Sequence, residues 1–349
     1  MNNTKLNNTQ HDFAVDTELI KELTEAFGVS GCEFEVRELI LSQISDCCDR
    51  ICTDKIGNLI AVKKSKEPDS KSVMLVANMD EPGFIISRFK EGGGAFLDFS
   101  AVGKIRPHTV ISEAVSVGEE KLNGIISLKA VHLTTKEERD KPVKLSDLFI
   151  DIGAADKDSA ESRVKPGDYA AFRSNFVSLG TNALCNKAAA SRACCAVLIE
   201  LLKREHDCNL VCVFSVQKEV GMRGSKIDIS EYTDIKPDTC VVLDAAENDE
   251  LKLGDGIVTP NIINETIADK RIFDILKSSC IYRTNQCAAK TVDSDIRSVS
   301  SSYGGTLCAE IDIPAKNLGT SAVTVDRRDI NDAGAAIQNF INQFSHIKV

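Results

Sequence analysis

Leu210-Val211-Cys212-Val213-Phe214-Ser215-Val216-Gln217-Lys218-Glu219-Val220-Gly221 is the stretch that decides the fold class. Its first part, 210–216, carries no charge and is too short for an ordinary helix. Such a run reads as a strand buried on both faces, as parallel sheets with helices on either side require. The run then breaks into Lys218-Glu219. An acid at the tip of a buried strand stands at the carboxyl edge of the sheet, in the crevice where open α/β folds bind ligands.

The same arrangement occurs twice more. The apolar run 72–77 leads into Asn78-Met79-Asp80-Glu81, and Val241-Val242-Leu243 leads into Asp244. Asp80, Glu219 and Asp244 therefore fall at three strand tips. Three carboxylates converging there repel one another unless a cation compensates them. A divalent metal is one such cation, and the ammonium of Lys218 is another. We expect Lys218 to turn toward Asp80, Glu219 and Asp244.

Outward from these strands the chain divides by texture. Helical periodicity marks 16–26, 33–45, 188–204, 270–280 and 333–344, and strands are expected at 59–62, 307–313 and 322–325. Between 84 and 172 the pattern changes to short β-like runs broken by glycines, including Val110-Ile111, the signature of a small barrel or sandwich. Lys136 to Lys144 reads as a solvated charged loop, and Gly92-Gly93-Gly94 as a turn. The expected organisation is a disordered arm over 1–15, an α/β domain over 16–82 and 177–349, and an inserted β-rich domain over 83–176.

The formal charge of −10 and pI near 5.2 argue against a nucleic-acid partner, which calls for a Lys/Arg surface. The polar N-terminus has no apolar segment of a signal peptide, and no run approaches the ~20 apolar residues that span a bilayer. These features imply a cytoplasmic protein without a membrane partner. The thirteen cysteines include the adjacent pairs Cys47-Cys48 and Cys194-Cys195, a poor geometry for bridges. Most sit in apolar runs, so we expect free thiols used as small hydrophobes.

Several motifs, in order along the chain, resemble the tetrahedral (TET-type) aminopeptidases. They are Gly28-Val29-Ser30-Gly31-Cys32-Glu33, Ile56-Gly57-Asn58-Leu59, Val131-His132-Leu133, Leu148 to Ala154, Val164-Lys165-Pro166-Gly167-Asp168, Gln217 to Gly224, and Gly304-Gly305-Thr306. The resemblance spans about residues 19–340. It implies an α/β aminopeptidase-like mixed sheet flanked by helices, carrying an inserted small β-barrel that mediates dimerisation. It also implies a homo-oligomer, as a dimer or a hollow dodecamer, and removal of N-terminal residues from peptides using two Zn or Co ions.

The resemblance also places the family's site on this sequence, where most functional positions differ. The first metal-binding His falls on Asn78, while the Asp that orients it is kept as Asp80. The bridging Asp falls on Ala190, within Lys187-Ala188-Ala189-Ala190-Ser191-Arg192. The Glu that activates water falls on Lys218. The Glu and Asp ligands are kept as Glu219 and Asp244. The last His falls on Asn331, and the Asp that follows Gly-Gly-Thr falls on Leu307. Each metal would keep one carboxylate, whereas a catalytic Zn normally has three protein ligands and a water. An Asn amide is a poor replacement for imidazole, Ala190 offers no donor, and an ammonium flanked by acids is no general base. The reading that follows is a member without a dinuclear centre and without peptidase activity. The alternatives are an active metallo-aminopeptidase with a rewired or single-metal site, a peptide- or metabolite-binding protein, and a structural subunit of a hetero-oligomer.

Overall fold

The computed structural model describes residues 13–90, 95–226, 228–263, 266–280, 284–285, 294–302 and 305–347. The chain opens with α1 (Thr17–Glu25), capped by Asp16, and α2 (Phe34–Ile44). β1 (Arg50–Thr53) and β2 (Leu59–Lys63) form a hairpin. In its turn, Asp54 Oδ1 accepts the N–H groups of Ile56, Gly57 and Asn58 at 2.8–3.0 Å. β3 (Ser72–Asn78) then leads into the insert.

The insert contains β4 (Gly83–Phe89), β5 (Phe96–Val102), β6 (Ala114–Val117), β7 (Leu122–Leu128), the one-turn helices α3 (Lys136–Arg139) and α4 (Lys157–Glu161), β8 (Leu148–Asp151) and β9 (Tyr169–Phe172). Its strands close into a barrel in the order β4-β5-β8-β7-β6-β9. Inside, Phe84 meets Phe99 and Phe172 edge to face, with ring centroids 4.9 and 5.2 Å apart. This is the arrangement that aromatic quadrupoles favour.

The chain returns through the hairpin β10 (Val177–Leu179) and β11 (Ala183–Asn186), then α5 (Ala189–Leu202), β12 (Asn209–Ser215) and β13 (Thr239–Ala246). The two-residue strands β14 (Ile257–Val258), β15 (Ile262–Ile263) and β16 (Thr266–Ile267) precede α6 (Lys270–Ser279), and β17 (Thr284–Asn285) precedes α7 (Ile296–Ser300). β18 (Cys308–Lys316), β19 (Val323–Asp326) and α8 (Arg327–His346) close the fold. The large sheet runs β1-β2-β12-β3-β13-β18-β19-β11-β10. Its centre, β12, β3, β13 and β18, is parallel, and its flanks are antiparallel.

The period-2 alternation of strands divides the core. Val73, Leu75 and Ala77 of β3 face a large cluster built with α1, α2, α5, α6 and α8. Met74 and Val76 face the opposite cluster with Ile296 and Val299 of α7. α5 is apolar almost all round and buried along its length, as a helix enclosed on every side must be. Each of its fully buried aliphatic side chains contributes roughly 1.5–3 kcal/mol. The turn from sheet to barrel requires Gly83, because a Cβ there would lie 2.4 Å from Val29 Cγ2 and 2.8 Å from the Ala170 carbonyl oxygen.

The mixed α/β architecture with an inserted barrel matches the sequence reading, and several local expectations change. Phe13 and Val15, expected in the arm, are buried in the main core. Val110-Ile111 forms a turn rather than a strand, and α3 occupies part of the charged loop 136–144. The closing helix starts at Arg327, well before 333, because Asp326 caps it by accepting from Arg328 N–H at 2.8 Å. Residues 1–12 and Gly92-Gly93-Gly94 lie outside the described residues, and every described cysteine is free.

A cavity at the carboxyl ends of the central strands

Asn78 and Ser215 are register partners at the ends of β3 and β12. The pairing of β13 with β3 stops at Val242↔Val76, just before Asp244 and Asn78. The three strand tips therefore open into one place, a cavity of about 990 Å³. Asn78, Asp80, Glu81, Ala190, Lys218, Glu219 and Asp244 all line it, with the barrel loop Gly103 to Arg106 on one side and Asn317 to Thr320 on another.

Lys218 is aimed by backbone geometry. Gln217 sits at φ +56°, a conformation unusual for a non-glycine residue, and its N–H donates to Glu33 Oε1 at 3.0 Å. The Lys218 ammonium forms an ion pair with Asp244 Oδ1. Burial alone would lower the Lys218 pKa, but Asp244, Asp295 and Glu219 outweigh it and raise it. Lys218 therefore remains a cation. The Asp244 Oδ1 atom also accepts the Ala245 N–H at 2.8 Å, while its Oδ2 is buried with no hydrogen-bond partner.

Asp80 is satisfied differently. Its Oδ2 accepts from Ser30 Oγ and from the Glu219 N–H, and its Oδ1 from Asn78 Nδ2 at 3.0 Å. Glu219 lies against the barrel, where a Cβ on Gly103 would come within 2.9 Å of its Oε2. Burial and the neighbouring Asp80 push its carboxyl up to about 7. Of the three acids expected around Lys218, only Asp244 forms an ion pair with it. Lys218 lowers the pKa of Glu219 through space, and Asp80 is held by dipoles.

Ala190 lies in the first turn of α5 at the cavity wall. Asn331 does not reach the cavity. It sits on α8, where its Oδ1 accepts the Val15 N–H at 3.0 Å. The sequence window that resembles a loop with a terminal histidine is helical here, so the alignment of Asn331 with a ligand position is corrected. Leu307 immediately precedes β18, and its carbonyl accepts from Thr239 Oγ1 at 2.9 Å.

Two buried clusters were missed in the sequence. Glu81 Oε1 accepts from Lys187 Nζ at 2.5 Å and from the Gly28 N–H at 3.0 Å, with Arg192 Nη2 3.6 Å away. Burial lowers the Lys187 pKa, and Glu81 partly restores it. Behind Asp244, Asp295 accepts from Ser215 Oγ at 2.8 Å, and Glu310 accepts from Ser294 Oγ. Burial raises the pKa of both acids. Asp312 pairs in register with Asp244. Glu310 and Asp312, two apart in an otherwise apolar strand, share a face, and that spacing was the available signal. Glu81 gave none beyond its place next to Asp80.

A mixed α/β sheet with an inserted barrel and a polar cavity at the parallel strand ends defines an aminopeptidase-like protein. The sequence profile of the M42 glutamyl aminopeptidase family matches residues 57–335, and the chain belongs to that family. It is 33% identical over 329 residues to a putative aminopeptidase of Acetivibrio thermocellus, covering 90% of this chain and 95% of that protein. A TET aminopeptidase from the marine sediment archaeon Thaumarchaeota archaeon SCGC AB-539-E09 superposes with a TM-score of 0.87 at 26% identity, covering 94% and 97% of the two chains. The TET1 peptidase of Pyrococcus horikoshii, described as assembling into a tetrahedron or a large octahedral shell, superposes with a TM-score of 0.77 at 27% identity, covering 93% and 98%.

Proposed function

We propose that this chain is a non-catalytic member of its family that keeps the cavity for binding peptides. The observation that carries the reading is the Lys218–Asp244 ion pair. An ammonium occupies the charge position that a metal ion would take, and it engages one of the two carboxylates that the resemblance leaves as ligands. The residues present do not fit a dinuclear centre. Ala190 has no donor atom, Asn331 is bonded to Val15 elsewhere, Asn78 directs its amide N–H to Asp80, and the Asp80 carboxylate already accepts hydrogen bonds from Ser30, Asn78 and the Glu219 N–H. Lys218, held as a cation, cannot take a proton from water.

A homo-oligomer is part of the proposal, with the insert 83–176 as the assembly domain. Its surface exposes Val131 and Leu133, at 65% and 62%, and apolar side chains that open to solvent are the usual material of subunit contacts.

The test is metal content per chain after incubation with excess Zn or Co and desalting, with peptide turnover followed in the same samples. The proposal expects neither bound metal nor turnover. One or two retained ions, or released N-terminal residues, would favour an active enzyme with a rewired or single-metal site.

A further inference from the structure

The charges around the cavity are largely matched in pairs. Lys187 is engaged by Glu81 and Lys218 by Asp244. Asp80 is held by Ser30, Asn78 and the Glu219 N–H. Glu247 is engaged by the N–H groups of Asn317 and Leu318 at 2.6 and 2.9 Å. Glu219 accepts a backbone hydrogen bond from Lys104 but has no cation to itself: it is crowded by Asp80 and Asp244, and the cation that acts on it, Lys218, is already paired with Asp244. Glu219 is therefore left to pair with a cationic group of a ligand.

On the barrel side the imbalance is reversed. Arg106 lines the same cavity and is exposed. Among the described residues its guanidinium makes no ion pair or hydrogen bond. The following Pro107 keeps the Arg106 backbone extended, at φ −90° and ψ 128°. A guanidinium is suited to bidentate recognition of a planar carboxylate.

We propose that the cavity takes a short free peptide held by both ends, with its ammonium at Glu219 on the floor and its terminal carboxylate on Arg106. This rests on the peptide-binding reading given above and adds the ligand class: a zwitterion with a free C-terminus, not the N-terminus of a long chain. The cavity volume of about 990 Å³ is at the upper end of the range for small-ligand sites, ~300–1,000 Å³, and leaves room for such a ligand.

Calorimetric titration of the full chain with trialanine, its C-terminal amide and its N-acetyl form tests the proposal. Trialanine should bind. The amide should bind about three- to fivefold more weakly, the size of an exposed Arg–carboxylate pair, and acetylation should weaken binding about tenfold or more, since it removes a charge-assisted bond. Arg106→Gln should bind acid and amide alike while keeping the penalty for acetylation. Equal affinity of the wild type for acid and amide would overturn the proposal and leave peptide binding standing. No binding of any of the three would also overturn it, with the non-catalytic reading untouched. Release of free alanine in the same samples would sink the non-catalytic reading alone, because the acid-to-amide ratio is still read from the Arg106→Gln comparison.

Discussion

Lys218, on the loop leaving β12, reaches across the end of β3 to ion-pair with Asp244 of β13. Both side chains are largely buried, at 12% and 6% exposure. Removing one partner of a buried pair leaves the other charge uncompensated, at a cost of roughly 3–5 kcal/mol. Lys218→Met should lose stability of that order in urea unfolding, and adding Asp244→Asn should recover most of it. A single-variant loss under about 1 kcal/mol would mean that the pair is solvated.

Glu219 gives a pH signature. Its pKa rises from an ordinary 4.5 to about 7 in the folded protein, so the native state binds a proton that the unfolded chain has released. That contribution to stability is fully present below about 4.5 and is lost as pH rises through about 7. Glu219→Gln should lack this decline when stability is measured across the window. An unchanged slope would assign the decline to another group.

Glu81 holds two buried cations, Lys187 and Arg192, with the three side chains at 5%, 0% and 1% exposure for Lys187, Arg192 and Glu81 respectively. Glu81→Gln leaves both positive charges without a counter-ion, and a loss of about 3–5 kcal/mol is expected. Thermal unfolding reads it directly, and a Tm within a degree of the wild type would contradict the cluster's role in joining β3 to α5.

Ala190→Asp combined with Lys218→Glu and Asn78→His restores three of the donor and base positions that the resemblance implies. The triple variant should retain Zn after desalting and gain thermal stability with added Zn, since a ligand bound to the native state stabilises it. The wild type should show neither effect. Failure of the variant to bind Zn would indicate that the residue correspondence at Asn78 or Ala190 is wrong.

The local sequence was enough for much of this protein. Charge-free apolar runs such as 210–216 favour burial on both faces, and their acidic ends mark the carboxyl edge of a parallel sheet. The shift to short, glycine-broken β runs after Gly83 marked the barrel for the same kind of reason, a change of period. Asn331 was misread because its window was judged by residue likeness alone. The Asp326 cap starts α8 at Arg327 and carries Asn331 toward Val15. Only the tertiary structure decided which charges meet. That Lys218 chooses Asp244 over Asp80, that Arg192 approaches Glu81, and that Arg106 of the barrel shares a cavity with Glu219 all depend on strand order and on where the insert lies against the sheet. Those are contacts between segments far apart in the chain, and no local periodicity encodes them.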